Sequence, residues 1–337
     1  MAGATVEAPP FAPLPSPEIA ISLAAAQMAC ARSVEDNLAR MRQMLQAAKA
    51  EGAQAVAFPA LAVTGAWDED ILAAGPDVLA GALRRVQDMA RLLRVFVAFG
   101  MPHIHPDGRR SNAAFVVAPD GELLTRYDQL VVDRPDLFSP GLSSKAMWFD
   151  LKGVPAAVTI GHDALWSELA ELAAVRGAQV HLHLCYDQDT SPQGVLLRRQ
   201  LWVNLASFLT FTATVNAAAP GVWPWASAPA VGGSILWEDL HRAHTGLAGG
   251  YAPHSARRLA EAGAEPQLLC ATQRVLPCNP QYGKMTGTTN PQMKAWYVAG
   301  AQAIYSDPLS PSCVVPNRAW ATDLKTGQEA KRRRGEG

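Results

Sequence analysis

The segment Gly153-Val-Pro-Ala-Ala-Val-Thr-Ile-Gly161-His162-Asp163, continued by Ala164 to Ala178, decides how this chain is read. Its first part is a buried strand and its last part, from Ala164, an amphipathic helix with apolar residues at helical spacing. Between them lies a sharp turn. α/β folds often place a nucleophile at such a turn, because the side chain there is lifted out of the sheet and faces a helix N-terminus. The residue at this turn is Gly161, which has no side chain to offer.

Working outward, apolar runs and helical repeats alternate. Ile19 to Met28 reads as a strand, and Ser33-Val-Glu35-Asp36 opens a helix with an N-cap serine and an acidic first turn. Leu38, Met41, Leu45 and Ala48 continue that helix, and Gly52 ends it. Ala55 to Phe58 is a short buried strand, Val78 to Leu93 a helix, and Val95 to Gly100 a strand. Ala113 to Ala118 and Leu123 to Tyr127 flank Pro119-Asp120-Gly121, a hairpin signal. Beyond the central turn, strands are expected at Gln179 to Leu184, Phe211 to Asn216, Gly232 to Trp237 and Gln267 to Val275, with a helix around Val195 to Ser207. This order is α/β with mixed sheets. A Pro-rich leader over 1–17, one domain over 18–276 and an irregular extension over 277–337 complete the expected layout.

Composition narrows the function class. Across 337 residues, 49% are hydrophobic, 18% are charged and the net charge is -1, so no charge imbalance points to nucleic acid or an anionic membrane. Lys331-Arg332-Arg333-Arg334 has no interleaved aromatic residues and reads as a solvated tail. Five irregularly spaced cysteines and no CxxC pair argue against a disulfide framework. No apolar run approaches the roughly 20 residues of a membrane span, and the leader lacks the charge pattern of a signal peptide. A cytoplasmic setting and no cofactor are the expectations.

The order of pieces resembles the carbon–nitrogen hydrolase (nitrilase) superfamily. Ala24-Ala-Ala-Gln27-Met28 with Asp36-Asn37-Leu38 is similar to its first strand and helix, and Phe58-Pro59-Ala60-Leu61-Ala-Val-Thr64-Gly65 to its FPE-x-x-x-TG segment. Ser111-Asn112, Asp120-Gly121-Glu122 and Arg126-Tyr127-Asp128-Gln129 resemble the hairpin before its catalytic lysine, and Phe138-Ser-Pro140-Gly141 its F-x-PG turn. Gly161-His162-Asp163 through Ser167-Glu168 and Gly177-Ala178 matches, without a gap, the segment around its nucleophile. Leu196, Arg198, Asn204, Asn216 and Gly232-Gly233-Ser234 extend the match, with an insertion near Asp239 to Arg258. The resemblance implies a four-layer αββα sandwich assembled as a dimer or larger oligomer. It also implies cleavage of amides or nitriles by a cysteine, a glutamate and a lysine through a thioester.

Against that pattern the chain has Ala60 for the glutamate, Gln129 for the lysine and Gly161 for the cysteine. A second glutamate found in many members has only Asp133 or Asp136 nearby. The resemblance with these three replacements implies a pseudoenzyme with a scaffold, regulatory or ligand-binding role. Its counterpart would be an active partner subunit or a small-molecule ligand in a pocket near His162, Asp163, Asp136 and Cys185. The alternative is an active C–N hydrolase with a relocated centre. His181, His183 and Cys185 alternate on one strand face and form a chemically plausible zinc set, while Cys185-Tyr186-Asp187 imitates the nucleophile triplet. Asp163 and Glu168 read as orienting the turn and capping the helix. Trp223, Trp225 and Trp237 read as interface or pocket residues.

Overall fold

The computed structural model describes residues 19–175, 178–187, 211–218, 232–239 and 256–275. Among them run β1 (Ile19–Gln27), α1 (Val34–Ala50), β2 (Ala55–Ala57), α2 (Asp68–Ala73), α3 (Pro76–Leu93), β3 (Phe96–Ile104), β4 (Arg110–Val117) and β5 (Leu123–Asp128). After these come β6 (Trp148–Leu151), β7 (Val154–Ile160), α4 (Ser167–Val175), β8 (Val180–Leu184), β9 (Phe211–Val215), β10 (Ile235–Asp239), β11 (Ala256–Glu261) and β12 (Gln267–Val275). Two six-stranded mixed sheets result, in the orders β12-β1-β2-β3-β4-β5 and β11-β10-β9-β8-β7-β6.

Strand alternation explains the layering. Leu23, Ala25, Ala57, Ala98 and Val116 of the first sheet meet Val158, Ile160, Leu182, Leu184, Ala213 and Leu236 of the second in one core. The opposite face of the first sheet, with Ala24, Val56, Val97, Phe99 and Phe115, packs on Leu38, Met41 and Leu45 of α1 and Leu79, Ala82 and Val86 of α3. α4 is the connection between the parallel neighbours β7 and β8. This is the expected αββα sandwich.

Local signals hold where chemistry fixes them. Ser33 caps α1, its side chain accepting a hydrogen bond from the Asp36 amide. The Asp120-Gly121 turn joins antiparallel β4 and β5, with the Glu122 amide donating to Asp120 Oδ1 at 2.9 Å. Among the described residues, no helix is long and apolar enough to cross a membrane.

Three expectations need correction. The helix expected from Ala164 begins instead as a 3-10 turn over Gly161–Leu165, and α4 starts only at Ser167, because Trp166 is extended (φ -115°, ψ 96°). The strand expected from Gly232 starts at Ile235, since Gly232 and Gly233 are left-handed (φ +61° and +73°). The supposed insertion ends in a strand: β11 pairs antiparallel with β10. Residues 1–17, the helix expected over Val195–Ser207, Trp223, Trp225 and the extension over 277–337 lie outside the described residues.

Candidate functional site

The parallel register of β7 and β8 sets the site. Ile160 pairs with Leu184, so Gly161 and Cys185 leave adjacent strands side by side. Gly161 has φ +47°, the left-handed value that an elbow after a strand demands. The Ala60 amide, on the loop after β2, donates to the Cys185 carbonyl at 3.1 Å and ties that loop to the end of β8. Leu61, the next residue, is also left-handed at φ +53°, an uncommon value for a non-glycine residue.

Gln129 closes the third side. It follows β5, its side chain is 1% exposed, and Asn112 Nδ2 on β4 donates to its Oε1 at 2.9 Å. Its Nε2 donates to the Val131 carbonyl at 2.9 Å. The same nitrogen stands 3.2 Å from where a Cβ on residue 161 would sit. The fold thus gathers Ala60, Gln129, Gly161 and Cys185 at one turn, and the side chains of the first three are a methyl group, a neutral amide and a hydrogen.

Asp163 holds this arrangement. Its buried carboxylate accepts four hydrogen bonds: from the Tyr127 hydroxyl (2.8 Å) and the amides of Ile160 (3.1 Å), Leu130 (3.1 Å) and Val131 (2.9 Å). The turn carrying Gly161 and the loop carrying Gln129 are therefore clamped to one side chain. Burial pushes the Asp163 carboxyl up to about 6, against hydrogen bonds that each favour the charged form.

The other sequence candidates fall differently. His162 is exposed at the turn. Asp136 does not reach this turn's hydrogen-bond network: it sits on the surface, its oxygens bound by Arg134, which also bridges to Asp68. His181 and His183 are fully buried, and Thr159 Oγ1 lies between His181 Nε2 (2.7 Å) and His183 Nδ1 (2.9 Å). One hydroxyl proton cannot be given to both rings, so at least one imidazole presents its N–H to the Thr159 oxygen, which has lone pairs enough to accept from both. Among the described residues, no group of three His, Cys, Asp or Glu side chains is placed to hold a metal ion. Trp237 is buried on β10.

Sequence reading gave no role to Asn112, Tyr127 or Thr159, which position the site. The available signal was a polar residue inside an apolar strand, such as Asn112 before Ala113 and Ala114, which must find a partner when buried.

The carbon–nitrogen hydrolase family model matches residues 22–231, well over half of the chain, and the chain belongs to that family. A formamidase of Helicobacter acinonychis is 27% identical over 199 residues, which are 56% of this chain and 58% of that protein. A formamidase of Bacillus cereus is 30% identical over 129 residues, 37% of this chain and 38% of the relative. The chain thus spans less than two thirds of the length of these curated relatives. Among solved structures, a cysteine-to-alanine mutant of the Nesterenkonia AN1 amidase from the nitrilase superfamily superposes with a TM-score of 0.63 at 21% identity, covering 77% of this chain and 92% of that one. Such a mutant in complex with butyramide gives 0.64 at 19% identity, covering 75% and 90%. These structural likenesses bear on the fold.

Two outcomes follow from the clamp and the histidines. Asp163→Ala takes the acceptor from two buried donors, the Tyr127 hydroxyl and the Ile160 amide, and from the partly buried amides of Leu130 and Val131; each buried donor left unpaired costs about 1–3 kcal/mol. A loss of at least about 2 kcal/mol is expected, a sizeable share of a typical domain stability of roughly 5–15 kcal/mol, and denaturant titration finding the variant within about 1 kcal/mol of wild type contradicts the clamp. Burial alone holds His181 down to about 4 from 6.5, so the unfolded chain takes up the proton first as pH falls. That contribution to stability is complete above about 6.5 and lost toward 4, whereas Asp163 has the opposite sign, its share being lost as pH rises through about 6. Stability measured at several pH values should fall less steeply on acidification in His181→Leu/His183→Leu than in wild type; equal slopes contradict the assignment.

Proposed function

We propose that this chain is a carbon–nitrogen hydrolase family member that keeps the family's scaffold without its hydrolase chemistry, and serves as a scaffold, regulatory or ligand-binding protein. The observation that carries this reading is the meeting of Ala60, Gln129 and Gly161 at one turn. A methyl group cannot take a proton, a neutral amide cannot neutralise an oxyanion as a cation does, and glycine cannot form a thioester. The Nesterenkonia amidase is described with acrylamide added at an active-site cysteine. At the corresponding turn, by the resemblance in sequence, this chain has no thiol.

Cys185 is the nearest candidate for a replacement nucleophile, but it is buried at the end of β8, with its own amide bonded to Val215 and its carbonyl to Ala60. The reading extends to a homo-oligomer in the cytoplasm, supported by the exposed Leu165 and Trp166 at the entry to α4. An active partner subunit or a small molecule would be its counterpart.

The test is the triple substitution Ala60→Glu, Gln129→Lys, Gly161→Cys, assayed for ammonia release on a panel of small amides beside wild type. Wild type should stay at the blank, and the triple variant should exceed it by roughly a hundredfold or more, the scale of restored acid–base catalysis. Wild-type ammonia release above the blank would sink the proposal.

A further inference from the structure

We propose that the Gln129 carboxamide is a tethered occupant of the pocket, and that the space it fills is a binding site for a free primary carboxamide once it is removed. The inference rests on the reading of the site as lacking hydrolase chemistry, and it says what fills the place instead. Asn112 Nδ2 donates to Gln129 Oε1 at 2.9 Å and Gln129 Nε2 donates to the Val131 carbonyl at 2.9 Å. One donor and one acceptor therefore face each other across the width of a single carboxamide. Gln129 is 1% exposed and Asn112 7% exposed, so both are shielded from bulk water. The amide nitrogen stands against Gly161, 3.2 Å from the position of a Cβ there, so any side chain at 161 would press on it. The glycine and the glutamine are consequently one arrangement: the space beside residue 161 is taken by the Gln129 side chain from the neighbouring loop.

Truncation of Gln129 to alanine removes the atoms of acetamide and nothing more. It takes the partner from the buried Asn112 Nδ2 and from the partly buried Val131 carbonyl, an arrangement that favours a ligand restoring both bonds. In wild type, the tethered amide is at high effective concentration and excludes a free one. The native pocket is thereby closed to small amides, which favours a scaffold or partner-binding role over a small-molecule one.

The experiment titrates acetamide into wild type, Gln129→Ala and Gln129→Met, read by ligand-observed NMR and by the shift in melting temperature, with ammonia release followed in parallel. Gln129→Ala should bind acetamide roughly tenfold or more tightly than wild type and melt higher in its presence. Gln129→Met keeps the bulk and should behave as wild type. N,N-Dimethylacetamide, which has no N–H to give Val131, should not bind the alanine variant. If Gln129→Ala does not fold alone, acetamide in the refolding buffer should restore it and dimethylacetamide should not. Binding by wild type or Gln129→Met as tight as by Gln129→Ala overturns the inference. So does a folded alanine variant that ignores acetamide, or an unfolded one that acetamide fails to restore. Ammonia release by wild type would instead overturn the reading beneath it, so the two failures are distinguishable.

Discussion

A single buried carboxylate organises this molecule around its turn. Asp163 accepts from Tyr127 on β5, from two amides of the following loop and from the last amide of β7. β5 is the edge of the first sheet and β7 belongs to the second. The contact is therefore the polar stitch between two sheets that otherwise meet through small and branched apolar side chains. A buried charge is tolerable only when its lone pairs are filled, and four donors fill this one. At the far side of the sandwich, Gln27 does related work: its side chain joins β1 to Ser234 and to the carbonyls of Gly263 and Glu265.

The frame so held carries backbone strain at Leu61, a non-glycine residue in the left-handed region. Leu61 and Gly161 are both left-handed, and each adjoins or occupies a position where the family resemblance places a reactive side chain. Residues in sparsely populated conformations persist only when their surroundings over-determine them. Here the surroundings are the Asp163 clamp, the Ala60–Cys185 backbone bond and the Gln129–Asn112 pair. They hold the elbow at Gly161 and the left-handed backbone at Leu61 beside Ala60 and Gln129.

Much of this was legible in the order of residues. Ser33 announced its helix, Asp120-Gly121 its hairpin, and the apolar run before Gly161 its buried strand, because each is a local signal. The family itself was legible through short motifs in a fixed order. What stayed hidden depends on register across strands. That Asn112 meets Gln129, that Gln129 overhangs Gly161, and that Thr159 lies between two histidines follow from pairings between distant segments. Spacing alone put His181, His183 and Cys185 on one face, yet could not say that a threonine hydroxyl already lay between the rings. β6 and β11 were missed because four to six residues with mixed polarity carry no period strong enough to read.

The central claim is that the frame outlasts the chemistry. It is tested most directly by ammonia release from purified wild-type protein on a panel of small amides and nitriles, beside Cys185→Ser. The account predicts rates equal to the protein-free blank for both. Turnover by wild type that disappears in Cys185→Ser would contradict it.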